Sequence, residues 1–368
     1  MLGEPPAPEG GAPGKAAIGL LRGLLAHGLD VAAVAARAPW AHPGAVPPDL
    51  PVEEVTVAAE SPWRGRWSAL VRPEDVLGRG RFGARVRELA AGADVVHLDA
   101  VETGWCSRGL ATPAAVHLHY RQRLDRDLGP PWTRRFRHDL GFVRAERAAL
   151  ARHRWAMATS PVVAASIRRA APGVEVVEAR MTLDPELYQR APLDGPPVAG
   201  LIGTAAWGPT ATATARLLER IWPAVHRRLP EARLRLAGRG IDRLAGSVPA
   251  GAEVVGEVAS AAEFLRGLSL LLYPLDRGSG VKVKVLEAVA TGVPVVTTTP
   301  GAEGVVVGDG LVVADDDDGI VAAAAAILAD GAERAERGAA AWAGFRREHA
   351  PAVAVEPVVE LYRRMAAG

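Results

Sequence analysis

Residues 271–296 read LLYPLDRGSGVKVKVLEAVATGVPVV, and this stretch decides the fold of the chain around it. The apolar run that ends at Tyr273 predicts a buried strand, because it is short and is followed by turn residues. A glycine-rich turn at 278–280 leads into a helical stretch that runs to Thr291. Gly292 is placed to end this helix as a C-cap, and the next apolar run starts a second strand. The stretch therefore predicts a strand–turn–helix–strand unit of a parallel α/β sheet.

The turn in this unit has the chemistry of an anion site. A helix that starts at the carboxyl edge of a parallel sheet presents free N–H groups, here at Gly280, Val281 and Lys282, and its dipole favours a diphosphate. Lys284 lies in the first turn and can neutralise phosphate charge. Glu287 follows three residues later on the same face, where a carboxylate can accept hydrogen bonds from two ribose hydroxyls. The alternative is an ordinary strand–turn–helix with a serine N-cap and a surface ion pair.

The strand–helix rhythm extends along all 368 residues, which is long enough for two domains. Apolar runs predict strands at Val31–Ala35, Val52–Val57, Asp94–Leu98, Ala114–Leu118, Trp155–Thr159, Val174–Glu178, Val198–Gly203, Arg233–Ala237, Glu253–Val255, Leu270–Tyr273, Val293–Thr298 and Leu311–Val313. Amphipathic stretches predict further helices at about 15–27, 81–91, 132–152, 161–170, 211–229, 332–347 and 354–366. This alternation is typical of α/β architecture.

A cluster of proline, glycine and aspartate at 191–197 separates the two halves and is typical of a linker. We therefore predict an N-terminal domain over 1–192 and a second domain over 193–345. A C-terminal helix over 346–368 is predicted to cross back to the first domain.

The start of the first domain departs from the usual pattern. A doubly wound domain begins with a buried strand that a glycine-rich loop follows directly. Here the loop-like residues 3–11 begin almost at Met1. Either the start of the chain is assigned too late, so that the first strand is missing, or residues 1–3 are the remnant of that strand. We favour the late start.

Composition excludes several classes of protein. The net charge of +1 and pI near 8.0 give no electrostatic argument for a nucleic-acid partner. Cys106 is the only cysteine, which excludes an intrachain disulfide and fits a reducing cytoplasm. We see no signal sequence, no apolar run of membrane-helix length, no P-loop and no metal-ligand spacing. The sequence thus predicts a cytoplasmic protein, with peripheral membrane association as the alternative. It also predicts that the protein needs no metal or cofactor.

Residues 271–296 resemble the donor-binding segment of glycosyltransferase family 4 (group 1), whose members have the GT-B fold. That family carries two glutamates separated by seven residues, the second within a Leu-Glu-Ala run. Leu286-Glu287-Ala288 matches, and Gly292 and Pro294-Val295-Val296 follow as the family has them. Ser279 stands in place of the first glutamate, and Gly-Ser-Gly at this place is similar to one subgroup. The resemblance implies two Rossmann-like, doubly wound domains that face each other across a cleft.

Two more glycines resemble the family pattern. Gly203 follows the first strand of the second domain, and the resemblance implies that it borders the donor cleft. Many members have a basic pair after this glycine, but none occurs before Thr214, so Arg239 or Lys282 are the candidate substitutes. Gly11 ends Pro8-Glu9-Gly10-Gly11, which resembles the Pro-x-x-Gly-Gly loop that in the family meets the donor diphosphate and the acceptor. A flexible start of the chain is the alternative.

Two strands of the first half end in polar residues, at Asp99 and at His117-Leu118-His119. Ligands gather at such strand ends in open α/β sheets. The resemblance implies that a histidine here lines the active site near the transferred sugar, with His119 the first choice and His117 the second. We expect it to position the sugar rather than to remove the acceptor proton. The alternative is a structural histidine with satisfied hydrogen bonds.

Charged runs occur at two further places. Eight arginines lie between Arg121 and Arg147, and we predict either a solvated helix face or a surface for anionic lipid headgroups or a diphosphate-linked acceptor. Asp315–Asp318 precedes an alanine-rich stretch and is predicted to cap a helix rather than to bind a metal.

The resemblance implies a retaining, metal-independent hexosyltransferase of polysaccharide or glycoconjugate biosynthesis. A nucleoside diphosphate sugar is its co-substrate, and the acceptor is a hydroxyl on a glycan, a lipid-linked molecule or a small molecule. His119 and Lys284 are the predicted catalytic residues; Gly11, Gly203, Ser279, Gly280, Val281, Lys282 and Glu287 are the predicted donor-binding residues. The alternatives are another GT-B enzyme, such as a sugar-nucleotide epimerase or an inverting transferase, and a non-catalytic nucleotide-sugar binder or assembly partner. A Rossmann dehydrogenase is disfavoured, because no Gly-x-Gly-x-x-Gly follows a strand with an acidic residue beyond it.

Overall fold

A computed structural model describes residues 1–39, 41, 44–57, 80–126, 128–244 and 248–368. The chain divides into two compact units, both built from parallel strands and helices. The first contains Met1–Asp184 and Pro351–Gly368, and the second contains Pro185–Ala350. None of the described helices is long and apolar enough to cross a bilayer.

The described residues of the first unit form six strands in two sheets. The strands are β1 (Ala33–Arg37), β2 (Val52–Thr56), β3 (Val96–Asp99), β4 (Ala114–Leu118), β5 (Trp155–Ala158) and β6 (Glu175–Glu178). The helices are α1 (Ala12–Ala26), α2 (Gly80–Ala90), α3 (Gln122–Asp125), α4 (Arg134–Arg152), α5 (Pro161–Ala170), α13 (Pro351–Ala354) and α14 (Glu356–Ala367), with a 3-10 segment at Val101–Ser107. β1 pairs with β2, and β3 to β6 pair in sequence order, all parallel.

Met1 and Leu2 join these two sheets. Leu2 N–H donates to Val34 O at 2.8 Å, and Leu2 O accepts from the N–H of Ala36 at 3.1 Å. On the other side, Asp99 N–H donates to Met1 O at 3.0 Å. The first residues thus lie between β1 and β3, in the position of a first strand.

The second unit holds a single six-stranded sheet. Its strands are β7 (Val198–Ile202), β8 (Arg233–Ala237), β9 (Ala252–Gly256), β10 (Leu270–Tyr273), β11 (Val295–Thr297) and β12 (Leu311–Val313). Its helices are α6 (Gly208–Arg216), α7 (Trp222–Arg228), α8 (Ala261–Arg266), α9 (Val283–Ala290), α10 (Thr299–Ala302), α11 (Asp317–Ala329) and α12 (Gly331–Glu348). A π-helical turn, Leu217–Ile221, joins α6 to α7, because Pro223 has no N–H to continue the regular pattern.

The strand order in this sheet is β12-β11-β10-β7-β8-β9, and all neighbours are parallel. The order reverses between β7 and β10, so their following loops diverge from one point on the carboxyl edge. Such a switch point is where open α/β sheets bind ligands. The strand predictions for both halves are confirmed, with ends that differ by one or two residues.

The division between the units lies at Asp184, before the predicted linker. The intervening residues belong to the second unit because they pack there: Ala191 N–H donates to Thr291 O at 2.8 Å, and Tyr188 is buried. The C-terminal helix α14 belongs to the first unit, where Leu361 and Met365 are buried in a core cluster.

Candidate active site

The loops that follow β7 and β10 in the second unit contact each other at the switch point. Gly278 adopts φ 120°, and a Cβ there would lie 3.2 Å from Trp207 Cζ2, so an indole of one loop packs on the backbone of the other. Thr212 Oγ1 donates to Asp276 Oδ1 at 3.0 Å. These contacts set the course of the glycine turn that precedes α9.

A buried ion pair holds this turn from within. Gly280 N–H donates to Glu303 Oε1 at 2.9 Å, and Lys282 Nζ lies 3.8 Å from Glu303 Oε2. Lys282 Nζ also donates to Gly278 O at 3.1 Å and to Gly280 O, and its side chain is 3% exposed. In this structure, two groups predicted to face a phosphate, the Gly280 N–H and the Lys282 ammonium, are instead used inside the loop.

The N-terminus of α9 keeps backbone donors beyond that clamp. Within the described part of the chain, the N–H groups of Val281, Val283 and Lys284 donate to no other group. The first turn carries no acidic residue, and the side chain of the N-cap residue Lys282 does not cap the helix. Because the helix dipole adds partial positive charge here, this end of α9 remains suited to an anion.

Glu287 is fully buried and is held by two side chains. Lys284 Nζ donates to its Oε2 at 2.6 Å, and Tyr188 Oη donates to its Oε1 at 3.2 Å. The predicted pairing of Lys284 with Glu287 along one helix face is present. The lysine is the exposed partner, at 29% of its side chain, whereas the glutamate is 0% exposed. The pair therefore presents a positive charge to solvent over a fixed carboxylate.

Gly203 lies at the carboxyl end of β7, where close packing excludes a side chain. A Cβ there would lie 2.7 Å from Thr210 Cγ2, and a Cβ on neighbouring Gly238 would lie 1.8 Å from Gly203 O. Arg239, a candidate for the missing basic pair, is 72% exposed and contacts Glu257 at 3.2 Å. Such an exposed pair contributes little to stability, so this guanidinium can readily exchange partners.

Glu303 was missed by the sequence reasoning. It lies at the end of α10, which follows β11, the neighbour of β10 in the sheet. The available signal was its position just after a strand that ends on the same sheet edge.

The first unit contains the remaining predicted residues. Gly11 is the N-cap of α1, and Glu4 Oε1 accepts from the N–H of Gly14 at 2.9 Å. A Cβ on Gly11 would lie 3.2 Å from the same carboxylate oxygen. The N-terminus of α1 is thus occupied by an anion from its own chain.

His119 forms a buried pair with Asp99: His119 Nε2 lies 2.7 Å from Asp99 Oδ1. Burial lowers the pKa of His119, but the charge and hydrogen bond of Asp99 outweigh burial and raise that pKa overall. Burial lowers the pKa of His97 and of His117 well below the usual imidazole range. His119 therefore favours the charged form and its two neighbours favour the neutral form.

Two cavities open in the first unit. One of about 470 Å³ is lined by Ser107–Leu110 and Arg152–Trp155, which precede β4 and β5. It lies at the amino ends of the strands, away from the edge where α/β sheets place their sites. The other, of about 20 Å³, lies beside Asp99, His117 and His119.

Asp316 caps α11, since its side chain accepts from Gly319 N–H at 2.7 Å, and this confirms the predicted role of the acidic run. Asp315 accepts from the N–H and hydroxyl of Thr299, and Asp317 pairs with Arg216.

Comparison with known proteins places this architecture in a class. Residues 196–330 match the profile of the family described as Glycosyl transferases group 1. No curated protein sequence matches the chain.

Several solved structures share the fold. Sucrose-phosphate synthase from Thermosynechococcus elongatus matches with a TM-score of 0.69 and 17% identity, over 95% of this chain and 92% of that one. HepE from Anabaena, in complex with UDP and glucose, matches with a TM-score of 0.58 and 14% identity. The match covers 85% of this chain and 86% of that one. A mutant of S. aureus TarM, in complex with fondaparinux, alpha-GlcNAc-glycerol and UDP, matches with a TM-score of 0.59 and 11% identity. The match covers 76% of this chain. The chain spans 58% of the length of that TarM chain.

The two Rossmann-like units and these likenesses show the GT-B fold. The profile match identifies residues 196–330, within the second unit, as a group 1 glycosyltransferase domain.

Gly278→Ala should destabilise the second unit by about 1–3 kcal/mol, because an L-residue is strained at φ 120° and its Cβ would press on Trp207. Gly195→Ala is the matched control, since a Cβ there meets nothing within 4 Å. The measurement is the thermal unfolding midpoint of each variant. Equal midpoints for the two would contradict the packing of Trp207 on this turn.

Proposed function

We propose that this glycosyltransferase moves a sugar from a nucleoside diphosphate sugar to an acceptor hydroxyl with retention of anomeric configuration. The observation that carries the proposal is the N-terminus of α9 at the switch point, with unpaired N–H groups at Val281, Val283 and Lys284. Departure of the nucleoside diphosphate needs stabilisation of its developing charge. A preorganised helix end with a lysine supplies that stabilisation without a metal at the phosphates.

The buried pair beneath this helix end supports the assignment of the donor side. Lys284 presents its ammonium beside the free N–H groups, while Tyr188 and Lys284 fix the Glu287 carboxylate in one orientation. Glu287 is fully buried with Lys284 on its Oε2, so its carboxylate accepts from ribose hydroxyls once Lys284 turns to the diphosphate. We propose that Glu287 binds the ribose and Lys284 the diphosphate.

His119 is the proposed sugar-positioning residue of the first unit. Its Nε2 is held by Asp99, which fixes the ring, and Nδ1 has no partner among the described residues. A fixed imidazole with one free nitrogen can hydrogen-bond a sugar hydroxyl. The same unit is the proposed acceptor side.

Nucleotide binding tests the donor site. UDP, GDP, ADP and dTDP are titrated in the presence of EDTA into the wild type and Glu287→Gln, which keeps the shape and removes the charge. At 100 times its dissociation constant, one nucleotide should add about 2.7 kcal/mol of stability to the wild type. The variant should show a smaller thermal shift with that nucleotide.

Tyr188→Phe is the matched control for this titration, because it removes a donor to Glu287 and leaves the carboxylate in place. A nucleotide shift of equal size in the wild type and Glu287→Gln would remove Glu287 from the donor site. No shift with any of the four would favour a degenerate binder over a transferase.

Retention is tested separately by the configuration of the product. With the accepted donor, the first-formed product should carry the anomeric configuration of that donor, as seen by proton NMR early in the reaction. An inverted product would assign the chain to an inverting mechanism and leave the donor site intact.

A surface near α4 supports peripheral binding to anionic lipid, and we propose it as the place where a lipid-linked acceptor is met. Trp132 is 81% exposed, and Leu124 and Leu128 are also exposed. Two of the eight arginines in this region form ion pairs with buried carboxylates, Arg121 with Glu146 and Arg126 with Asp139. The other six are exposed: Arg123, Arg134, Arg135, Arg137, Arg144 and Arg147. Indole and guanidinium groups together are typical of a membrane interface.

Arg134→Gln/Arg135→Gln should weaken binding to vesicles containing phosphatidylglycerol by roughly tenfold or more, since each arginine near an anionic surface contributes about 1 kcal/mol. The control, Arg168→Gln/Arg363→Gln, removes two exposed arginines elsewhere on the same unit. Cosedimentation measures both against vesicles of phosphatidylcholine alone. Equal losses in the two double variants would indicate a nonspecific charge effect.

A further inference from the structure

Two strands of the first unit bring three metal-ligand groups to one point. His97 and Asp99 lie on β3, and His117 lies on β4, directly opposite Asp99 in the parallel register. One ligand atom from each of the three lies within 4.8 Å of the others. Asp99 Oδ1 is 3.9 Å from His97 Nε2 and 3.8 Å from His117 Nδ1.

Four of the ring nitrogens at this point are buried without a hydrogen-bond partner among the described residues. Among the described residues, no hydrogen-bond partner exists for His97 Nε2, for either ring nitrogen of His117, or for His119 Nδ1. The side chains of His97 and His117 are only 10% and 7% exposed. A buried polar atom without a partner has lost its hydration without compensation, so several in one place indicate a bound group.

Two further side chains orient the three. His97 Nδ1 is hydrogen-bonded to the Tyr362 hydroxyl of α14. When Nδ1 carries the proton and donates it to this hydroxyl, the lone pair of His97 Nε2 points toward Asp99 and His117. His119 Nε2, at 2.7 Å from Asp99 Oδ1, holds the carboxylate. Outer groups of this kind fix the orientation and tautomer of histidine and carboxylate ligands in metal sites.

We propose that His97, Asp99 and His117 bind a divalent transition-metal ion of the zinc class. Two imidazoles and one carboxylate are the donor set that such ions take, with bonds of about 2.0–2.2 Å. Tetrahedral bonds of that length set ligand atoms about 3.3 Å apart, so the contacts of 3.8 and 3.9 Å need only a small closure. The adjoining cavity of about 20 Å³ has room for a water as a further ligand.

The ion would join β3 to β4 at their carboxyl ends and, through Tyr362, tie α14 to the same edge. It would also hold Asp99, and through it His119, in one place. This site belongs to the first unit and does not depend on the proposed donor site of the second.

Metal binding by the full chain tests the proposal. Protein stripped with EDTA and dialysed is titrated with Zn²⁺ by calorimetry and with Co²⁺ by visible absorption. The wild type should bind one ion per chain, with Co²⁺ bands characteristic of nitrogen and oxygen ligands. His117→Ala and Asp99→Asn should each lower the affinity at least 100-fold. His138→Ala, which removes an exposed histidine of the same unit, should bind as the wild type does.

Tyr362→Phe leaves all three ligands and should lower the affinity by about tenfold, as the loss of an outer hydrogen bond does. If His117→Ala fails to fold, His97→Gln serves in its place, and circular dichroism checks both. The proposal is overturned if the stripped wild type takes up no Zn²⁺ at micromolar concentration, or if the ligand variants bind as tightly as His138→Ala.

Discussion

The buried carboxylate of Glu303 holds the turn on which the proposed donor site of the second unit depends. It accepts from Gly280 N–H and pairs with Lys282, which in turn donates to the carbonyls of Gly278 and Gly280. Removing one partner of such a buried pair costs about 3–5 kcal/mol, because the other charge is left uncompensated. These contacts therefore fix the course of the turn, and the helix that follows it starts at Val283.

A second buried carboxylate organises the first unit in a comparable way. Asp99 ends β3 and lies close to His119, which follows β4, and near His97 of β3 and His117 of β4. Only one of the three imidazoles is paired with it closely, and the nitrogens left over are buried. In the second unit the charges around Glu303 are matched within the loop, whereas around Asp99 the polar groups outnumber their partners. We therefore interpret the cluster around Glu303 as structural and propose a bound ion for the cluster around Asp99.

Much of the fold was predictable from the sequence, because strand and helix periodicities are local properties of the chain. The strands around 198–202, 233–237 and 270–273, the glycine turn at 278–280 and the C-cap at Gly292 all lie where apolar runs and turn residues place them. The catalytic class also followed from contiguous residues, since the segment from Tyr273 to Val296 carries its glycines, lysine and glutamate in one run.

The sequence by itself determined the alternating strands and helices, the lysine–glutamate pair on one face of α9, and the family of the second unit. These depend on spacings of a few residues, which a helix or strand converts directly into geometry. Only the tertiary structure decided that Lys282 lies inward on Glu303, that Glu287 is fully buried, and that residues 1–2 join two sheets. The same is true of the histidines, because His97 and His117 lie 20 positions apart in the chain and become neighbours only through the pairing of β3 with β4.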